Sequence, residues 1–110
     1  MTATVEIDAG ACGFKTSARV VSEDNRHVSY ELDSECERVL KLAEALKSGG
    51  PIDAYQEISS RGKSILFDAA RSTLVGCCTG CAVPVGLFKA MEVATGLALP
   101  KDVAIQLAKE

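Results

Sequence analysis

The hydrophobic period of this chain changes once, sharply, at Ser34. Before it, apolar and polar residues alternate in twos: Val28, Tyr30 and Leu32 against Ser29, Glu31 and Asp33. After it, Val39, Leu42, Ala43 and Leu46 recur at helical spacing. A period of two describes a half-buried strand and a period near 3.6 an amphipathic helix, so strand must give way to helix at this point. Ser34 and Glu37 have the spacing of a capping box, with Ser34 as the cap, and Gly49-Gly50-Pro51 ends the helix. The spacing predicts that Val39, Leu42 and Leu46 face a hairpin made of 16–23 and 27–33, joined by the turn residues Glu23-Asp24-Asn25.

The remaining elements follow from weaker patterns. Val5 and Ile7 mark a strand over 4–8, and Gly10 and Gly13 a turn that carries Cys12. A short helix is expected over 52–58, a loop over 59–63, and a second helix over 64–72 with Ile65, Leu66 and Ala69 inward. Pro84 suits the first turn of a third helix, ended by Gly96, with Val85, Phe88 and Met91 among its apolar positions. Val103, Ile105 and Leu107 alternate with Ala104, Gln106 and Ala108 and read as a last short strand, with a helix begun by Asp102 as the alternative. The sum is one α+β domain over 1–110: a small antiparallel sheet of three to four strands with helices packed on one face.

Composition removes several classes of function. The 110 residues are 47% apolar, enough for a packed core, and one domain fits this length where two do not. A net charge of −3, with two Tyr, three Phe and no Trp, offers nucleic acid neither a basic patch nor a stacking platform. No apolar run is long enough to cross a bilayer, and MTATVEIDAG has neither the basic nor the apolar region of a signal peptide. A cytoplasmic protein is expected, with no nucleic-acid or membrane partner. Glu57, Asp68 and Glu92 form no pattern of acid and base and are expected to be solvated, and His27 is expected to be an exposed strand residue.

Five cysteines are the unusual number. In a reducing compartment such a count points to metal or redox chemistry before disulfides. They fall at element boundaries: Cys12 in the glycine turn, Cys36 in the first turn of the capped helix, and Cys77, Cys78 and Cys81 just before the Pro84 helix. At helix N-termini the dipole and free N–H groups favour a thiolate. Cys78-x-x-Cys81 is a local chelate, and Cys12 and Cys36 can supply third and fourth sulfurs. Four thiolates suit Zn²⁺ or an iron–sulfur cluster, not Mg²⁺ or Ca²⁺. Cys77 reads as a spare, because adjacent side chains diverge.

The order Ala11-Cys12-Gly13, strand, Asp24-Asn25 turn, strand, Cys36 at a helix start, helices, Cys78 to Cys81 and last helix resembles the iron–sulfur scaffold family, IscU and the N-terminal domain of NifU, over residues 5–95. The resemblance implies a cluster held by three cysteines and one further ligand, then passed to recipient proteins. The stretch from Cys81 to Pro100 is also similar to small prokaryotic cysteine-containing proteins of no assigned function.

Three readings stand at this point. The first is a metal-binding carrier without turnover, holding an iron–sulfur cluster or zinc through Cys12, Cys36, Cys78 and Cys81, with protein partners for cluster transfer and a homodimer as further expectations. The second is a thiol–disulfide oxidoreductase working through Cys78 and Cys81. Its usual setting is a CxxC after the first strand of a βαβ unit, which this order lacks. The third is a structural zinc or interaction domain whose thiols carry no chemistry of their own.

Overall fold

Alternation along three consecutive segments builds the sheet. In the computed structural model, which describes every residue except Ser60 and the side chain of Cys77, β1 is Thr2–Asp8, β2 Lys15–Val21 and β3 His27–Ser34. A two-residue β4, Ile52–Asp53, completes an antiparallel meander in the order β1-β2-β3-β4. Its register runs from Thr2↔Val21 to Asp8↔Lys15 and from Thr16↔Ser34 to Val21↔Ser29, with His27↔Asp53 beyond. Ala3, Ala18, Val20 and Val28 are buried on one face, while Glu6, Ser17, Arg19, Glu31 and Asp33 stay on the solvent side. The chain is an α+β fold.

Helices cover that buried face. They are α1 (Glu37–Ser48), α2 (Ala54–Ser59), α3 (Ile65–Thr73) and α4 (Val83–Ala94), with a 3₁₀ turn over Gly76–Gly80. Helix α1 buries Val39, Leu42 and Leu46 and packs on β3. Full burial of a leucine such as Leu42 stabilises by about 1.5–3 kcal/mol. Helix α4 buries Val83, Leu87, Ala90, Met91 and Ala94 and lies across β1 and β2. Tyr30 of β3 donates a hydrogen bond to the Leu87 carbonyl at 3.0 Å. Burial holds this phenol well above its ordinary 10.0, and the Glu57 charge adds to the effect.

Gly86 sets how closely α4 approaches β1. A Cβ there would lie 2.5 Å from Ile7 Cδ1 and 2.7 Å from Ile7 Cγ1. At the other end of α4, a Cβ on Gly96 would lie 3.1 Å from the Met1 side chain. The helix therefore runs antiparallel to β1 and brings its N-terminus to the end of the sheet where β1 finishes.

The structure departs from the expected local details in five places. Ser34 is the last residue of β3, held extended by pairing with Thr16, so the N-cap of α1 is Cys36 and no capping box forms. The Ser34 hydroxyl instead accepts from Cys36 N–H at 3.1 Å and bonds Thr16 Oγ1 at 2.8 Å. Segment 52–58 begins as a strand, because Ile52 and Asp53 pair with β3 before α2 starts. Ile65 and Val85 lie on the solvent side of their helices, where Leu66 and Leu87 take the core positions. Glu57 is buried: its carboxylate accepts from Ser64 Oγ at 2.7 Å and from Ile65 and Leu66 N–H at 2.9 Å, so it closes the N-terminus of α3. Residues 101–110 form neither the expected strand nor the alternative helix and are exposed throughout, since no neighbouring strand supplies the hydrogen bonds. The loop expected over 59–63 includes Ser60, which lies outside the described residues.

Candidate functional site

The meander puts two of the cysteine segments at one end. Strand β1 runs toward the turn that carries Cys12, and β3 runs in the same direction and delivers Cys36 immediately after Ser34. Gly10 and Gly13, with φ of 85° and 75°, shape the Cys12 turn; Gly13 N–H donates to the Gly10 carbonyl at 2.9 Å. Left-handed backbone of this kind costs little only for glycine. Lys15 N–H donates to Glu35 Oε1 at 3.3 Å, which links the turn to the β3–α1 junction.

The third segment arrives by way of α3 and α4. Arg38 of α1 donates to the Val75 carbonyl at 2.6 Å and fixes the start of the 3₁₀ turn that carries Cys78. Cys81 follows at the C-cap of that turn, directly before α4, whose close seat over Ile7 carries it to the Cys12 end of the sheet. Cys36, Cys78 and Cys81 are half-buried against the core, and Cys12 is exposed. All four are free thiols.

Electrostatics reports their proximity. The Cys81 thiol is held above its ordinary 9.0. Burial is the largest cause, and the thiols of Cys12, Cys78 and Cys36 each disfavour its thiolate further. Val83 N–H donates to Cys81 Sγ at 3.5 Å and pulls the other way. The Val83 N–H thus assists the Cys81 thiolate, but burial and the neighbouring sulfurs outweigh it, so the thiolate expected at this helix start is disfavoured. The structure brings Cys12, Cys36 and Cys78 within electrostatic reach of Cys81. It does not close them on a point: among the described residues no group of three or more His, Cys, Asp or Glu side chains is arranged to hold a metal ion. The side chain of Cys77 lies outside the described residues.

The solvent face of the sheet at this end is acidic. Glu6, Asp8, Asp33 and Glu35 surround Lys15 at a shallow depression, a field that attracts cations. His27 is far from this end: it is exposed at the start of β3, with Nδ1 2.7 Å from Asp24 Oδ2.

A family model matches residues 3–107, a span that takes in every cysteine and most of the exposed C-terminal segment. The chain belongs to DUF6951. That family is described as one of unknown function. No curated protein and no solved structure matches the chain. Among the described residues of this DUF6951 chain, no helix is long and apolar enough to cross a membrane.

Two positioning residues carried weak sequence signals or none. Gly86 interrupts the Pro84 helix, and a glycine inside a helix costs about 1 kcal/mol against alanine, so its presence signals a close approach. Arg38 is one charged residue among several on α1, and nothing in its spacing indicates Val75.

Proposed function

We propose that Cys12, Cys36, Cys78 and Cys81 form a thiolate site for a soft metal centre, an iron–sulfur cluster or zinc, and that the protein acts as a carrier or scaffold. The observation that carries this reading is the gathering of three cysteine segments, distant in sequence, at one end of the sheet, with three thiols acting on Cys81. The donor set fits in kind: thiolates are the soft ligands that select zinc and iron–sulfur centres over hard cations. Cys36, Cys78 and Cys81 would supply the half-buried side of the centre and Cys12 the exposed side. Bound there, a cluster is cargo open to transfer, and a zinc ion is a tie between three loops.

The residues themselves do three things. Glycines 10 and 13 leave the Cys12 turn without side-chain bulk. Arg38 and Gly86 hold the 3₁₀ turn and α4 in place, so Cys78 and Cys81 stay near Cys36. Burial keeps Cys81 protonated until a metal displaces the proton, so binding releases protons and weakens as pH falls. The same property argues against Cys81 as the attacking thiolate of a redox pair, which needs a pKa near ambient pH or lower.

The test is iron, zinc and sulfide content of the full chain and of Cys36→Ser after anaerobic reconstitution, alongside a disulfide-reductase assay. The carrier reading expects a bound centre in the first protein, its loss in the second, and no turnover in either. Equal metal content in both, with robust reductase activity, favours the oxidoreductase and removes the carrier reading.

A further inference from the structure

The C-terminal segment has the pattern of a strand and, among the described residues, pairs with none. Val103, Ile105 and Leu107 are 54%, 68% and 93% exposed, and every residue from 101 to 110 is solvent-facing. Lys101 and Lys109 flank that apolar row on the same face, while Ala104, Gln106 and Ala108 form the other. Three apolar side chains spaced by two and left mostly in water are an unmet burial demand. The family match extends through Leu107, so most of this segment lies within the sequence that the family model describes.

The same chain has an open sheet edge of matching length. β1 spans seven residues and, among the described residues, pairs only with β2, so its outer edge carries unpaired backbone groups. Its faces match those of the tail. Ala3, Val5 and Ile7 face the core, and Thr2, Thr4, Glu6 and Asp8 face solvent. A strand added beside β1 would continue the apolar row with Val103, Ile105 and Leu107. Added parallel to β1, with Val103 beside Ala3, it would set uncharged Ala104, Gln106 and Ala108 beside Thr4, Glu6 and Asp8 and Asp102 beside Thr2, with no carboxylate opposed to a carboxylate. Helix α4 offers cover for the added row: Phe88 stacks on Phe67 of α3, which leaves Gly86 and half-buried Val93 on the opposite flank, toward the outer edge of β1.

We propose that segment 102–108 of one chain adds as a strand to the β1 edge of a second copy, and that the exchange is mutual. Mutual addition closes a two-fold dimer and uses both tails and both β1 edges. A second copy is the occupant that fits, because the tail and the edge it complements are both present in every chain. In the structure the tail leaves α4 through Gly96 and is exposed along 101–110, and the chain with its tail measures 44 Å along its longest axis and 28 Å along the others. The proposal does not depend on the thiolate site.

Two measurements on the full chain test it: mass in solution by light scattering over a range of concentrations, and amide hydrogen exchange across 101–110. The expected result is a dimer of twice 11.6 kDa with slowed exchange at 103–107. In Ile105→Asp, a change at an exposed position outside the core, mass should halve and the slowed exchange should vanish. A monomer with slowed exchange in the tail overturns the proposal in favour of folding back within one chain. A monomer with fast exchange overturns it outright. A dimer that survives Ile105→Asp with a fast-exchanging tail places the interface elsewhere and also overturns it.

Discussion

The two ends of the sheet are held in opposite ways. At the β2–β3 turn, polar side chains satisfy their own neighbours. Asp24 accepts from Arg26 N–H at 3.0 Å, from His27 N–H at 2.8 Å and bonds His27 Nδ1 at 2.7 Å. Arg26 reaches back to Asp53 at 2.9 Å and sits over the Tyr55 ring. At the other end, a glycine turn, the N-cap of α1 and a 3₁₀ segment with its C-cap present four free thiols. Among the described residues the only hydrogen bond to one of their sulfurs is that from Val83 N–H. Hard donors and acceptors close a turn by themselves. Soft donors gathered without partners of their own leave a site able to take something else.

The largest expected effect separates the ends completely. Cys36→Ser should abolish retention of a reconstituted centre, while Asp24→Asn should leave metal content unchanged, as read by metal analysis of the two purified proteins. Both variants should fold, since serine is close in size to cysteine and is well tolerated at an N-cap. Loss of metal in Asp24→Asn would show that the centre depends on overall stability and not on the cysteine end.

Gly86→Ala should act on both stability and site. The added Cβ meets Ile7 at 2.5 Å, and overpacking of this kind costs about 1–3 kcal/mol. Moving α4 off β1 also moves Cys81 away from Cys12. The expected outcome is a lower melting temperature together with reduced metal retention. A destabilised protein with full metal content would mean that the seat of α4 does not position Cys81.

Acid and alkali should probe the ends separately in the metal-free protein. Cys81 is held above 9.0, so its protonated form favours the fold; that contribution is complete below pH 9 and is lost as pH rises past it. Cys81→Ser should flatten this alkaline loss. Tyr30, held above 10.0, adds a similar decline at higher pH, so the comparison belongs in a Tyr30→Phe background. Asp24 is held below 3.8, chiefly by its hydrogen bond with His27, so its contribution is present above that pH and is lost on acidification. Asp24→Asn should remove only that acid limb, and because the group is exposed the effect should be the smallest of these, visible in melting temperature against pH.

What was legible in the sequence follows the range of each interaction. The period switch is local, so the hairpin, α1 and its buried Val39, Leu42 and Leu46 appear where the spacing predicts. Ser34 misled because a capping signal is local while its extended conformation is imposed by Thr16 on another strand. Glu57 misled in the same way: its three donors lie seven to nine residues ahead, and only the approach of α3 explains its burial. The placement of Cys12, Cys36 and the 78–81 pair at boundaries was visible, but their gathering depends on β1 and β3 running in the same direction and on Gly86. The C-terminal alternation is present in sequence, but residues 101–110 are exposed and form no strand, because alternation alone does not supply a paired neighbour.

The central claim is that the cysteine end binds one centre through sulfur. The most direct measurement is X-ray absorption at the metal edge of the anaerobically reconstituted full chain, beside serine variants of Cys12, Cys36, Cys78 and Cys81. The account predicts a first shell of sulfur at about 2.3 Å, the distance of zinc–thiolate and similar bonds, and a loss of sulfur neighbours or of the metal itself in each variant. A first shell of oxygen and nitrogen, or a metal that stays unchanged in the Cys12 and Cys36 variants, would contradict it.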